Sequence, residues 1–346
     1  MVEVVVGNKI KMQKSPNNKI PPASSLHASK VKGHQLRSWF FGILLLAGVI
    51  AAVTHIGEIE HFAKLAREAK PKWLLVALLL QFGTYICTAA VWKRALHYVN
   101  IRQSFFSFVP LAFAKLFADQ ALPSGGASGI SFFIAALKRR GVPADLCMAM
   151  MLVSLVAYYL AYLIVALASL ALLWFYHAIH IWILLLVGLF CLVAVAIPAG
   201  ALLLQHWSKR AIPKLLTRLP NVRDLLQRFT RAPKHLLRNR PLVATSILLY
   251  VAIFLLDAAT LWIMLLAMGQ DVSFLVAFPS FVVSSIISTL SPIPLGLGIF
   301  EASSVGMLKA LGIPLEAGLT ATLLLRGFTL WLPMLPGLWL ARRELR

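Results

Sequence analysis

The sequence predicts an all-α polytopic membrane protein, with about six full transmembrane helices and two Gly/Pro-broken re-entrant hairpins. Three observations carry that prediction. Apolar residues make up 60% of the 346 positions and charged residues only 13%, with a mean hydropathy of +0.83. Apolar stretches of roughly 18 residues or more recur along the chain, long enough to cross about 30 Å of hydrocarbon as helices. The chain also says one thing twice. LPSGGASG…KRRGVP at 122–143 returns as IPLGLGIF…KALGIP at 293–314, pairing Pro123 with Pro294, Gly125 with Gly296, Gly141 with Gly312 and Pro143 with Pro314. Paired, broken hydrophobic segments in the two halves of a membrane protein point to a transport site.

The elements follow in order. Residues 1–38 form a basic, mostly polar tail, too long and too polar for a cleaved leader. The span 39–53 crosses outward. Residues 56–72 carry Ile59, Phe62, Leu65 and Ala69 on one face with charges opposite, which predicts an amphipathic helix lying in the outer interface. The span 73–92 returns to Lys93-Arg94. Residues 105–137 then run from that basic loop to Lys138-Arg139-Arg140, so they leave and come back on one side, as a re-entrant hairpin or as two short full crossings. Spans 146–175, 181–205 and 242–268 lead out, in and out again, with a basic loop at 206–241 between the last two. There Pro213, Pro220 and Pro233 divide an amphipathic run. The second hairpin, 274–307, begins and ends outside, and 317–340 returns to Arg342-Arg343. That makes eight to ten hydrophobic segments in two halves, 39–175 and 176–346, inverted with respect to one another. The helices before the hairpins match loosely, CTAAVW ending at Trp92 against DAATLW ending at Trp262.

Charge supports this topology. The net charge of +21 would suggest nucleic acid in a soluble protein. Here 26 of the 33 Lys and Arg residues fall on the segments placed inside, so the positive-inside rule puts both termini in the cytoplasm. Nucleic acid is not an expected partner; anionic head groups of membrane lipids are. Cys87, Cys147 and Cys191 sit in apolar segments without CxxC spacing, and imply neither disulfide nor metal.

Ionisable side chains inside the apolar segments carry the chemistry. They are Lys115, Asp119, Asp257, Glu301 and Arg326. Each costs roughly 2.5–3.5 kcal/mol at a helix centre on insertion scales, which makes each a functional suspect. Lys115 and Asp119, four apart on the first hairpin, are either a neutralised pair or a head-group site. Glu301 follows the second hairpin tip and Arg326 lies in the next helix; they form a structural pair or a substrate site. Asp257 is the candidate proton carrier, with helix-to-helix hydrogen bonding as the alternative. Backbone N–H groups at the tips Pro123, Gly125, Gly126, Pro294, Gly296 and Gly298 suit an anion. GGASG has no preceding strand and no following GK[ST], so it is no nucleotide loop. His177 and His180 lack a third ligand, and no metal or cofactor is expected. Tyr158, Tyr159, Trp174, Tyr176 and Trp182 are read as interface and packing aromatics.

The second unit, SPIPLGLGIFEASSVGMLKALGIPLEAGLTATLLLRGF, resembles the signature of the lysylphosphatidylglycerol synthase transmembrane region family, the flippase-like membrane domain of the bacterial multiple peptide resistance factors. The family's Pro-x-Gly-x-Gly-x-x-Glu turn, Gly-[VI]-Pro step and helical Arg correspond to Pro294, Gly296, Gly298, Glu301, Gly312, Pro314 and Arg326. The first unit resembles the upstream motif less closely, with Asp119-Gln120 before Pro123 and Ser131-Phe132-Phe133 after it. The resemblance covers residues 36–345. It implies a bacterial inner-membrane protein that moves an anionic, aminoacylated or isoprenoid lipid between leaflets; Glu301, Arg326, Lys115 and Asp119 are the residues expected to contact its head group. Because the chain ends soon after its last span, the cytoplasmic aminoacyl-transfer domain is expected to be absent, and lysyl transfer with it. Two other classes stay open. One is a non-catalytic accessory protein partnered with a lipid-biosynthesis enzyme. The other is an isoprenoid-phosphate transferase, disfavoured because the only close acid pair, Glu58 and Glu60, lies on the outer amphipathic helix.

Overall fold

The structure, a computed structural model, describes residues 70–101, 103–121, 127–175, 181–207, 235–291, 293 and 296–345, all within the unit Ile59–Arg346. Every regular element among them is helical: α1 (Pro71–Tyr98), a 3₁₀ turn (Phe105–Ser107), α2 (Phe108–Ala121), α3 (Ala127–Arg139), α4 (Ala144–Phe175), α5 (Ile181–Trp207), the short α6 (His235–Arg238), α7 (Arg240–Ala267), α8 (Phe274–Leu290), α9 (Ile299–Ala310) and α10 (Leu315–Arg326). A π-helical stretch, Gly327–Trp331, joins α10 to α11 (Leu332–Leu345). Pro333 and Pro336 explain that stretch, since neither has an amide hydrogen to bond back into the preceding turn.

Among the described residues, five helices are long and apolar enough to cross a membrane: Pro71–Tyr98, Ala144–Phe175, Ile181–Leu203, Arg240–Ala267 and Leu315–Ala341. The protein is therefore a multi-pass membrane protein. The sixth expected span at 39–53, the tail 1–38, residues 56–69 of the amphipathic helix and most of the loop 206–241 lie outside the described residues. So do Pro123, Gly125, Gly126 and Pro294 at the hairpin tips. Outward faces carry Leu75, Trp174, Trp182 and Leu192 bare, as lipid-facing surfaces do.

The two halves share an element order. α1 and α7 are both 28 residues long with Pro in the first turn, at an offset of 169 (240 − 71). At that same offset Asn100 and Gly269 both take positive φ, of 58° and 75°. Ile101 N–H then bonds Leu96 C=O at 3.1 Å, and Gln270 N–H bonds Leu265 C=O at 3.0 Å. Pro110 and Pro279 also correspond. After the broken segment the offset is 171. Val142 N–H closes on Leu137 C=O at 3.1 Å and Ile313 N–H on Leu308 C=O at 3.0 Å, through Gly141 and Gly312 at φ 79° and 89°. Both are left-handed caps that glycine adopts without strain. The loose match of Trp92 with Trp262 is thus one residue out of register, because the helix ends pair Trp92 with Leu261. The break between the hairpin arms absorbs the difference.

Packing follows the repeat. α1 lies against α7 in the most extensive helix contact among the described elements, closely enough that a Cβ on Gly83 would sit 3.2 Å from Leu256. Each hairpin folds its arms together, α2 on α3 and α8 on α9. α11 packs on α2, where Gly337 leaves room for Phe117. α4 threads both apolar cores: Cys147, Met148 and Leu152 join Trp92, Phe108 and Phe133, while Ala161, Tyr162 and Val165 join Phe190, Phe254 and Phe281.

Candidate functional site

A cavity of about 640 Å³ opens between α1, α2, α4 and α7. Its polar lining includes Gln81, Thr84, Thr88, Lys115, Asp119, Ser154, Asp257 and Thr329, against an aromatic wall of Tyr85, Trp92, Tyr158, Tyr159 and Tyr250. Four pairs of repeat-equivalent positions take part: Gln81 with Tyr250, Thr84 with Ile253, Thr88 with Asp257, and Tyr158 with Thr329. Positions related by the offsets of 169 and 171 thus face one another across the cavity.

The structure brings three of the suspected residues to this cavity. Asp257 is not a lone acid: Gln81 Nε2 donates to its Oδ1 at 2.9 Å and to Thr260 Oγ1 at 2.9 Å, tying α1 to α7. The helix-to-helix bond left open by the sequence is present. Lys115 Nζ lies 2.6 Å from Asp119 Oδ2, with the two side chains 24% and 23% exposed. Asp119 Oδ1 also accepts from Gly129 N–H at 3.0 Å, and Ser128 Oγ donates to Ala118 C=O at 2.7 Å. Asp119 thus clasps the start of α3, where an acid is favoured by the helix dipole. A Cβ on Gly129 would overlap that carboxylate.

Glu301 and Arg326 meet elsewhere and are not among the residues that line this cavity. Arg326 Nε donates to Glu301 Oε1 at 2.6 Å, with side chains 12% and 16% exposed. The guanidinium also stacks 4.7 Å from the centre of the Phe300 ring. Glu301 lies in the first turn of α9 and Arg326 in the last turn of α10, each at the end its charge stabilises. Gly298 caps α9 at φ 78°. Gly296, at φ 61°, leaves no space for a Cβ against Ser288. Glu301 Oε2 is buried without a hydrogen-bond partner.

A family model for the lysylphosphatidylglycerol synthase TM region matches residues 39–337. The chain belongs to this family. The lysylphosphatidylglycerol synthase TM region match spans every residue that lines the cavity. A UPF0104 membrane protein of Pyrococcus horikoshii is 24% identical over 320 residues, covering 85% of this chain and 94% of that protein.

Sequence reasoning missed most of the cavity. Gln81, Thr84, Thr88 and Thr329 are uncharged, so no insertion cost singled them out, although Gln81 is a solitary amide in an apolar helix. Tyr158 and Tyr159, read as interface and packing aromatics, also line the cavity. Tyr158 packs edge-on to Tyr159, Tyr162 and Tyr250. Trp174 and Trp182 do lie exposed, near the junction of α4 and α5. Among the described residues no group of three His, Cys, Asp or Glu side chains is placed to hold a metal ion.

Proposed function

We propose that this protein moves a lipid between the leaflets of the cytoplasmic membrane, with the head group passing through the cavity between the halves and the acyl or isoprenoid tails in lipid. The observation that carries this reading is that repeat-equivalent residues line the cavity in pairs, as expected of a transport site at a repeat interface. Its volume falls in the ordinary range for ligand sites, roughly 300–1,000 Å³. One cation and two acids, Lys115, Asp119 and Asp257, suit a head group carrying both a phosphate and an amine. The tyrosine wall favours the amine further, since π-faces attract cations.

Inversion supports alternating access. Arms α2 and α3 pack on one another, so the first hairpin returns to its starting side whether or not it crosses fully. α4 and α5 then reverse the chain twice, which leaves α7 antiparallel to α1. Helices of 12–14 residues, as in α2, α3 and α9, reach only about 20 Å and fit re-entrant arms better than full spans. With the expected outward span 39–53 and the basic segments inside, this reading has both termini in the cytoplasm. Asp257 is the coupling candidate, and Gln81 holds it at the helix interface.

Proteoliposomes test the reading. They carry labelled phosphatidylglycerol, aminoacylated phosphatidylglycerol or a polyprenyl phosphate, with Asp257→Asn as control. Asparagine keeps a hydrogen-bond acceptor for Gln81 but has no titratable proton and no charge. Translocation of one lipid, slowed about tenfold or more by Asp257→Asn, supports the proposal. Equal movement by wild type and variant, or no movement of any of these lipids by folded protein, defeats it.

A further inference from the structure

A second recess, of about 330 Å³, lies where α1 ends and the first hairpin begins. Lys93 and His97 stand one turn apart on α1, and so share a face. The chain reverses at Asn100 and returns past Ile101 and Gln103 to Phe108 at the start of α2. Leu96, Ile101 and Phe108 give the recess an apolar floor, and Lys93, His97 and Gln103 give it a polar rim. No carboxylate lines it. Lys93 has no acidic partner among the described residues, and its ammonium sits 5.3 Å from the Phe105 ring centre. Arg140 lies against Phe108, 5.8 Å from its ring centre, and donates to Ser107 C=O at 3.1 Å.

The repeat provides an internal comparison. At the offset of 169, Lys93, His97 and Gln103 correspond to Trp262, Leu266 and Val272, while Phe105 corresponds to Phe274. In the second half the Trp262 indole N–H donates to Val272 C=O at 2.7 Å and its ring meets Phe274 edge-on at 6.1 Å. One turn is thus bridged by an indole, and its equivalent is left open and basic. Positive-inside bias and the C-terminal end of α1 account for a cation at this turn; what they leave unexplained is the gathering of Lys93, His97 and Gln103 around an open recess that no acid lines. Donors above an apolar floor at a helix end are what a phosphate with its glycerol or similar apolar neck would engage.

We propose that the recess formed by Lys93, His97, Gln103 and Phe108 binds a phosphate-bearing anion on one face of the membrane only, as a site separate from the translocation cavity. The full chain in detergent micelles is titrated with dioctanoyl phosphatidylglycerol, with dioctanoyl phosphatidylcholine, and with glycerol 3-phosphate. Saturable binding of the phosphatidylglycerol, weakened about tenfold in Lys93→Gln and kept in Lys93→Arg, identifies a lipid head-group site; tenfold corresponds to about 1.4 kcal/mol. Equal binding of glycerol 3-phosphate, with the same dependence on Lys93, assigns the recess to soluble phosphate esters. Lys93→Trp, which installs the residue found in the second half, abolishes either. Lys93 is exposed, so Lys93→Gln keeps the wild-type melting temperature. The proposal falls if neither phosphate compound binds, if Lys93→Gln binds as tightly as wild type, or if phosphatidylcholine binds as well as phosphatidylglycerol.

Discussion

Removing one partner of the Glu301–Arg326 pair tests what holds the second hairpin to the helix that follows it. The bond is 2.6 Å long, and its side chains are only 12% and 16% exposed, so water screens the survivor poorly. Arg326→Leu leaves Glu301 with both carboxylate oxygens unpaired, because Oε2 already has no partner. It also removes the guanidinium from the face of Phe300. Breaking a buried pair from one side costs roughly 3–5 kcal/mol, whereas replacing both partners with apolar residues is close to neutral. Arg326→Leu and Glu301→Leu are therefore each expected to lower stability by about 3 kcal/mol, and the double variant to recover most of it. Helix content followed by circular dichroism against increasing dodecyl sulfate mole fraction measures this. A coupling energy below about 0.5 kcal/mol between the two substitutions would refute the structural role and leave the charges to the substrate.

Other consequences are cheaper to check. Gly129→Ala should destabilise by about 1–3 kcal/mol, since its methyl group overlaps the Asp119 carboxylate, while Gly306→Ala, with open space around it in α9, should be neutral or slightly stabilising in the same unfolding assay. Gly141→Ala and Gly312→Ala should cost alike, about 1–2 kcal/mol each, because both force an alanine to φ near 79° or 89° with no clash to relieve. Cysteines placed at Ser104 and Ser273, equivalent and exposed starts of the two hairpins, should react with an impermeant maleimide from opposite sides of the membrane. Labelling from one side would end the inverted arrangement.

The ionisable residues were legible in the sequence because an ion inside an apolar segment is expensive enough to need a partner. Four of the five turned out to be two ion pairs, Lys115 with Asp119 and Glu301 with Arg326. Five spans were legible for the same reason of length and hydropathy. The register of the first helices was not. An ungapped comparison fits residues after the break at 171 and misses the 169 before it, so Trp92 was set against Trp262 and the pairing of Thr88 with Asp257 stayed hidden. Gln81 escaped notice because a neutral amide costs little to insert, yet it holds Asp257. The cavity required three-dimensional contact between α1 and α7, which no local pattern encodes.

In both halves a polar side chain before the break lies close against a glycine beyond it. Asp119 and Ser288 are equivalent, and each lies against a glycine beyond the break, Gly129 and Gly296 respectively. Lys115 corresponds to Ser284, which is fully buried and donates to Ser280 C=O at 2.6 Å. The second hairpin thus has hydroxyls at the two positions where the first carries two charges. Their shared distinction is that Lys115 and Asp119 face the cavity. Lys115→Ser with Asp119→Ser copies the second half onto the first. The expected outcome is a protein that keeps its helix content and melts within a few degrees of wild type, but loses at least tenfold in lipid translocation, a change of about 1.4 kcal/mol in the barrier. Undiminished translocation by that double variant would make the pair a device for inserting the hairpin and nothing more, leaving Asp257 as the charge in the cavity that meets the head group.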